Sequence, residues 1–133
     1  MALVMGVVLA IAAGLFATSL RLDRDRAFYP TVMMVIAVLY VLFALMGATT
    51  GAWLRELPFS AAFFALAAIG FRKSLWLVAV ALAAHGIFDL AHHSLVYNAG
   101  VPTFWPAFCS SYDVTAAIYL AWLLKSNRLR ATV

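Results

Sequence analysis

An all-α bundle that crosses a membrane five times is the fold this sequence predicts, and three observations predict it. Composition is the first: 67% of the 133 residues are hydrophobic and only 11% are charged. A soluble domain is nearer half apolar and a quarter charged, so lipid must cover much of this surface. Segmentation is the second. Apolar runs at residues 2–20, 29–49, 57–71, 75–97 and 106–124 are separated by short links. A span takes roughly 20 apolar residues, with a range of about 17 to 25. The third is the placement of charge. With five spans, Arg21, Arg24, Arg26, Arg72, Lys73, Lys125, Arg128 and Arg130 fall on one side and Arg55 alone on the other. A four-span chain would divide these clusters between both faces. Basic residues stay cytoplasmic because they translocate poorly, so the N-terminus is expected outside and the C-terminus in the cytoplasm.

The elements follow in order. Run 2–20 has no basic residue before its apolar core and three arginines after it. That is the reverse of a secretory signal, so it reads as a retained helix. Run 29–49 opens near Pro30, whose missing N–H is tolerated in a first turn. Run 57–71 is short and is expected to form a thin or tilted helix, unless it takes in Ala52, Trp53 and Leu54. Run 75–97 carries the ionisable groups discussed below. Residues 98–102, Asn-Ala-Gly-Val-Pro, form a turn-rich outer link. Phe104, Trp105 and Pro106 then start the fifth helix, with Trp105 at the membrane interface. Small residues recur at four-residue spacing in Ala10 with Gly14, Ala61 with Ala65 and Ala79 with Ala83, pairs that let membrane helices approach closely. The length suits a single domain over 1–133.

Several function classes drop out. The net charge is +4, but the basic residues sit between apolar runs. They act as topology determinants, and no nucleic-acid partner is expected. Cys109 is the one cysteine, which excludes an intrachain disulfide and a Cys-rich metal site. Cys109 itself reads as a small buried hydrophobe.

The segment AAHGIFDLAHHSLVY, residues 83–97, places His85, Asp89, His92 and His93 in an otherwise oily run. At about 100° per residue, His85, Asp89 and His92 share an arc of roughly 60°, with His93 on its flank. Leu82, Ile87 and Leu90 are assigned to the opposite, lipid-facing side. Ionisable groups in a bilayer cost about 2.5–3.5 kcal/mol each on insertion scales and normally face another helix. The fifth run supplies the partner: Cys109, Tyr112 and Asp113 share a face by their i, i+3, i+4 spacing. Counting at 1.5 Å per residue, Asp89 lies roughly 12 Å and Asp113 roughly 10 Å below the outer surface. The two carboxylates are thus expected at matched depth on antiparallel neighbours. His92, His93 and Tyr112 would sit slightly above them and His85 below, in a cluster open to the periplasmic side. Leu77, Val78, Val80, Ile118, Leu120 and Leu123 would seal the inner half.

Two chemistries suit this set. His85, Asp89, His92, His93 and Asp113 can ligate a divalent transition metal, zinc or iron, because imidazole and carboxylate are suitable ligands. His85, Asp89, Asp113 and Tyr112 can instead work as acid–base groups on a lipid-like or small substrate, an Asp-backed His being a general base. Elsewhere, Tyr40 reads as a packed residue with one hydrogen bond, and Arg55 with Glu56 as an exposed interfacial ion pair.

Three stretches, DRAFYPTV at 25–32, HGIFDLAHH at 85–93 and GVPTFWPAFCSSYDV at 100–114, carry a resemblance. The chain resembles a group of small, uncharacterised bacterial inner-membrane proteins. The resemblance implies a multi-pass location in the bacterial cytoplasmic membrane and no activity. Two other functions remain open at this stage: a proton- or cation-coupled transporter or channel working as a homo-oligomer, and a non-catalytic accessory subunit or ligand sensor in a larger membrane complex.

Overall fold

The computed structural model of the chain describes residues 1–47 and 51–132. It contains five helices: α1 (Ala2–Leu20), α2 (Phe28–Met46), α3 (Ala52–Arg72), α4 (Leu75–Leu95) and α5 (Trp105–Lys125). All five are long and apolar enough to cross a membrane. The expected end of the second run, Thr49, lies outside the described residues.

The third helix corrects the sequence reading. It has 21 residues, as many as α4 and α5. It starts at Ala52 after Gly51, which takes a left-handed φ of 78°, and continues through Arg55, Glu56 and Pro58. Hydropathy alone truncated it at the charged pair. The helix continues there because Glu56 is buried and bonded inside the bundle.

Local chemistry explains the other ends. Arg21 caps α1 in the left-handed region, and the Leu22 N–H bonds back to the Ala17 carbonyl at 2.9 Å, closing a six-residue helix stop. Pro30 lies in the first turn of α2 and Pro106 in that of α5, where no intrahelical donor is lost. Ser74 caps α4 by accepting from the Trp76 N–H.

The links gather at two ends. At one end Arg26 donates to the carbonyls of Phe71 and Arg130, and the Leu75 N–H donates to Ala131. This brings residues 21–27, 72–74 and 126–131 together, along with the basic clusters. At the other end Asn98 donates to the Tyr40 carbonyl and to Glu56, and Gly100 packs on Phe43 and Gly47.

In cross-section the helices form an open arc in the order α1, α5, α4, α3, α2, with α2 leaning back on α4. The two ends of the arc, α1 and α2, hardly touch. α4 is the centre. Its buried positions, including Leu75, Val78, Leu82, His85, Asp89 and His92, repeat at three- and four-residue intervals, the helical period. Leu82 therefore faces the core, not lipid as its sequence assignment had it; its position brings it onto the same side as Val78 and His85. Ile87 and Leu90 do face outward, at 67% and 68% exposure. The half of the α4–α5 seam nearer the basic end is closed by Val78, Leu82, Leu120 and Leu123, all fully buried, whereas Val80 and Ile118 are exposed on the outside of the bundle.

Candidate metal centre

Close approach of α4 and α5 builds the site. Gly86 lies between the two turns that carry His85 and Asp89. A Cβ there would sit 2.9 Å from Val114 Cγ2 and 3.0 Å from the Ser110 carbonyl. Without it, α5 comes near enough for Asp113 to reach His85. His85 Nδ1–H donates to Asp113 Oδ2 at 2.7 Å and lies 3.5 Å from Asp89 Oδ1, one helical turn away. Tyr40, from α2, donates its hydroxyl to Asp89 Oδ1 at 2.8 Å.

Cys109 completes the group. One ligand atom from each of His85, Asp89, Cys109 and Asp113 lies within 4.8 Å of all the others, and all four residues are buried. Asp89 Oδ2 and Asp113 Oδ1 are buried with no hydrogen-bond partner among the described residues. Buried polar atoms are nearly always bonded, so two unpartnered carboxylate oxygens in one cluster make it a candidate cation site.

A second polar layer stands on the first, toward the Asn98 end. His92 Nε2–H donates to Glu56 Oε1 at 2.9 Å, and Asn98 Nδ2 donates to the same oxygen at 2.8 Å. The Tyr40 ring stacks on His92 with centroids 3.8 Å apart, so Tyr40 touches both layers. Phe59, Phe63 and Phe88 pack around them.

The sequence-predicted residues separate accordingly. His85, Asp89 and Asp113 come together as expected. His92 is one layer away and is paired with Glu56. His93, one residue further round the helix, is exposed and contacts only the Tyr97 ring among its aromatic neighbours. Tyr112 is half-buried and lines an apolar groove whose lining also includes Leu9 and Phe28. The expected opening toward the outer face is roofed over: His92, Glu56 and Asn98 are all buried.

Two contributors were not expected as site members, Glu56 and Cys109; Tyr40, expected as a packed residue with one hydrogen bond, is buried and makes that bond to Asp89. Cys109 had a legible signal, since it precedes Asp113 by one helical turn. Glu56 had none, because its neighbour Arg55 suggested an exposed pair; the structure leaves Arg55 exposed and buries Glu56.

No protein-family model, curated protein or solved structure matches this chain.

Proposed function

We propose that this chain is a multi-pass protein of the bacterial cytoplasmic membrane that holds a divalent transition metal at His85, Asp89, Cys109 and Asp113, for metal-assisted chemistry on a lipid-like substrate. One observation carries the reading: a nitrogen, a sulfur and two carboxylates converge within 4.8 Å, with two carboxylate oxygens left unpartnered. Zinc takes N, S and O donors at about 2.0–2.3 Å, and because four protein ligands fill a tetrahedron, chemistry here would use an added fifth position. Neighbouring donors in such a site are only about 3.3–3.8 Å apart, a modest contraction from the present spread. The sulfur favours zinc over iron. Charge supports the same reading. A divalent cation would offset the two buried carboxylates, whose charge is costly inside an apolar bundle. Binding would release both the proton between His85 and Asp113 and the Cys109 thiol proton, because the ligands are neutral imidazole, carboxylate and thiolate.

Orientation follows from the basic end, which is placed in the cytoplasm; the Asn98 end is then periplasmic. The lipid bilayer is the one partner this reading requires.

A second reading draws on the polar chain itself. Polar contacts join Asp113, His85, Asp89 and the Tyr40 hydroxyl, and hydrogen bonds join His92, Glu56 and Asn98. The two sets meet at the Tyr40–His92 ring stack, so a proton route from the outer end would need Tyr40 or His92 to swing into hydrogen-bonding reach. The apolar inner half, with Val78, Leu82, Leu120 and Leu123, weighs against conduction across the whole membrane.

Elemental analysis of the protein purified into lipid nanodiscs tests the metal reading. A transition metal is expected in stoichiometric amount, and it should disappear in Asp89→Asn and Asp113→Asn. A wild-type protein that carries no metal and takes up none when zinc or ferrous iron is added would overturn it.

A further inference from the structure

The buried polar groups of the bundle continue from the donor cluster in one direction only. Toward the basic end, the α4–α5 seam is filled by Val78, Leu82, Leu120 and Leu123, all fully buried. Toward the other end stand Tyr40, His92, Glu56 and Asn98, also buried. A cation can therefore reach His85, Asp89, Cys109 and Asp113 along polar groups only from the Asn98 end. The arginines and lysines at the opposite end add electrostatic repulsion to the aliphatic seal.

Glu56 is the group that the four donors leave unexplained. It comes from α3, which supplies none of them. Its Oε1 accepts from His92 Nε2–H at 2.9 Å and from Asn98 Nδ2 at 2.8 Å. Its Oε2 has no partner among the described residues, although Glu56 is only 1% exposed. This is a third unpartnered carboxylate oxygen, one layer away from the two in the cluster. Glu56 and His85 also line the same internal gap, together with Tyr40, Phe63 and Phe88. The gap leaves no room for a water molecule, so the two layers face each other across packed rings.

We infer that Glu56 and His92 form a second, transient position for the divalent metal, through which the ion passes between the Asn98 end and the four buried donors. The spacing suits an ion. Nitrogen and oxygen donors at about 2.0–2.2 Å from one metal lie about 3 Å from each other, and His92 Nε2 and Glu56 Oε1 are 2.9 Å apart. The ligand count suits passage. One imidazole and one carboxylate hold an ion less firmly than four donors do, and a transit site must be strong enough to enter and weak enough to leave. Binding there displaces the proton between His92 and Glu56, as metal binding to protonated ligands does. It also requires Asn98 to release Glu56. Transfer across the gap then needs the rings of Tyr40, Phe63 or Phe88 to turn, so loading is expected to be slow. The inference rests on the metal reading of the buried cluster and adds how that cluster is filled: from one end, through a pair contributed by α3 and α4.

Cobalt(II) uptake and release by the metal-free protein in nanodiscs test it, followed through the cobalt–thiolate absorption of Cys109. Glu56→Gln keeps the shape of the side chain and removes its charge. Both rates should fall about 10-fold or more, because the ion then crosses an apolar layer without a counter-charge, while their ratio, the affinity, is unchanged. His92→Gln should repeat the slowing. Unchanged rates in both variants overturn the inference. So does a loss of affinity that comes from faster release, which would make Glu56 a support of the buried donors. Equilibrium dialysis with zinc supplies a readout that does not need the tight site. In Asp89→Asn/Asp113→Asn, which strips both carboxylates from the buried cluster, a weakly held zinc is expected that disappears when Glu56→Gln is added. If no zinc is lost on adding Glu56→Gln, the inference is overturned. The two readings fail separately. A cobalt–thiolate band with unaltered kinetics in Glu56→Gln and His92→Gln removes the outer position alone. Weak zinc that depends on Glu56, without a cobalt–thiolate band in the wild type, removes the four-donor centre alone.

Discussion

α5 is held from two sides, and the two sides work differently. Toward α1 it meets a row of small residues, Gly6, Ala10, Gly14 and Ala17, the only buried positions of that helix. Toward α4 it presents Cys109, Asp113, Ala116 and Leu120. Lipid tails are as apolar as leucine, so burying apolar surface provides little drive for helices to associate in a membrane. The α1 seam uses close packing, with a side-chain hydrogen bond between Thr18 and Tyr119 at 3.1 Å near its end. The α4 seam joins ionisable groups, and it is the one that carries chemistry. The difference teaches which substitutions test packing and which test function.

Breaking the packing seam has the largest expected effect. A side chain at Gly6 meets Ser111 Oγ and the Phe108 carbonyl, and backbone gives way poorly. Gly6→Leu should lower stability by about 3 kcal/mol or more, read as thermal unfolding in detergent micelles, with metal content per folded protein retained. At Gly14 the neighbour is the Tyr119 ring at 2.9 Å, which can tilt. Gly14→Ala should cost less, about 1 kcal/mol.

Asp113→Asn acts on the other seam. It keeps the shape and removes a ligand charge, so it should weaken metal binding by more than about 100-fold, beyond the usual effect of losing an outer-shell partner. Competition against a chelator of known affinity reads this out. A fall in stability without a change in metal affinity would assign Asp113 to packing.

Tyr40→Phe is the finer probe. Its hydroxyl donates to Asp89 at 2.8 Å. Its removal should weaken the metal by roughly 10- to 100-fold, the size of outer-shell effects, while costing about 1 kcal/mol or less in stability.

A final pair of substitutions separates two adjacent histidines. His92→Phe removes the bond to Glu56 and should cost about 1–2 kcal/mol, the upper range for interhelical polar pairs in membranes. His93→Ala, at an exposed position, should change stability by no more than about 0.5 kcal/mol and leave metal content untouched. Equal effects of the two would mean that helix α4 is rotated from its present setting.

Much of this was legible from spacing alone. Five apolar runs and the one-sided arginines and lysines led to the five helices. The helical period united His85 with Asp89, and depth counting matched Asp89 to Asp113. Other features were hidden for physical reasons. At about 100° per residue, His93 lies close enough to the polar arc that only real packing decides it, and packing turned it outward. Glu56 sits in a helix whose charge lowered its apparent hydropathy, so its burial depended on partners 36 and 42 residues away, His92 and Asn98. The groove between α1 and α2 was unreadable, because it depends on two consecutive helices failing to pack.

Cobalt(II) titration of the metal-free protein is the most direct test of a shared His–Asp–Cys–Asp centre, because cobalt reports sulfur ligation by a charge-transfer band in the near ultraviolet. The band is expected to rise and saturate at a single cobalt ion per chain in the wild type, and to vanish in Cys109→Ser while the folded helix content is unchanged. No band in the wild type, or a band that persists in Cys109→Ser, would contradict a metal held by these four residues.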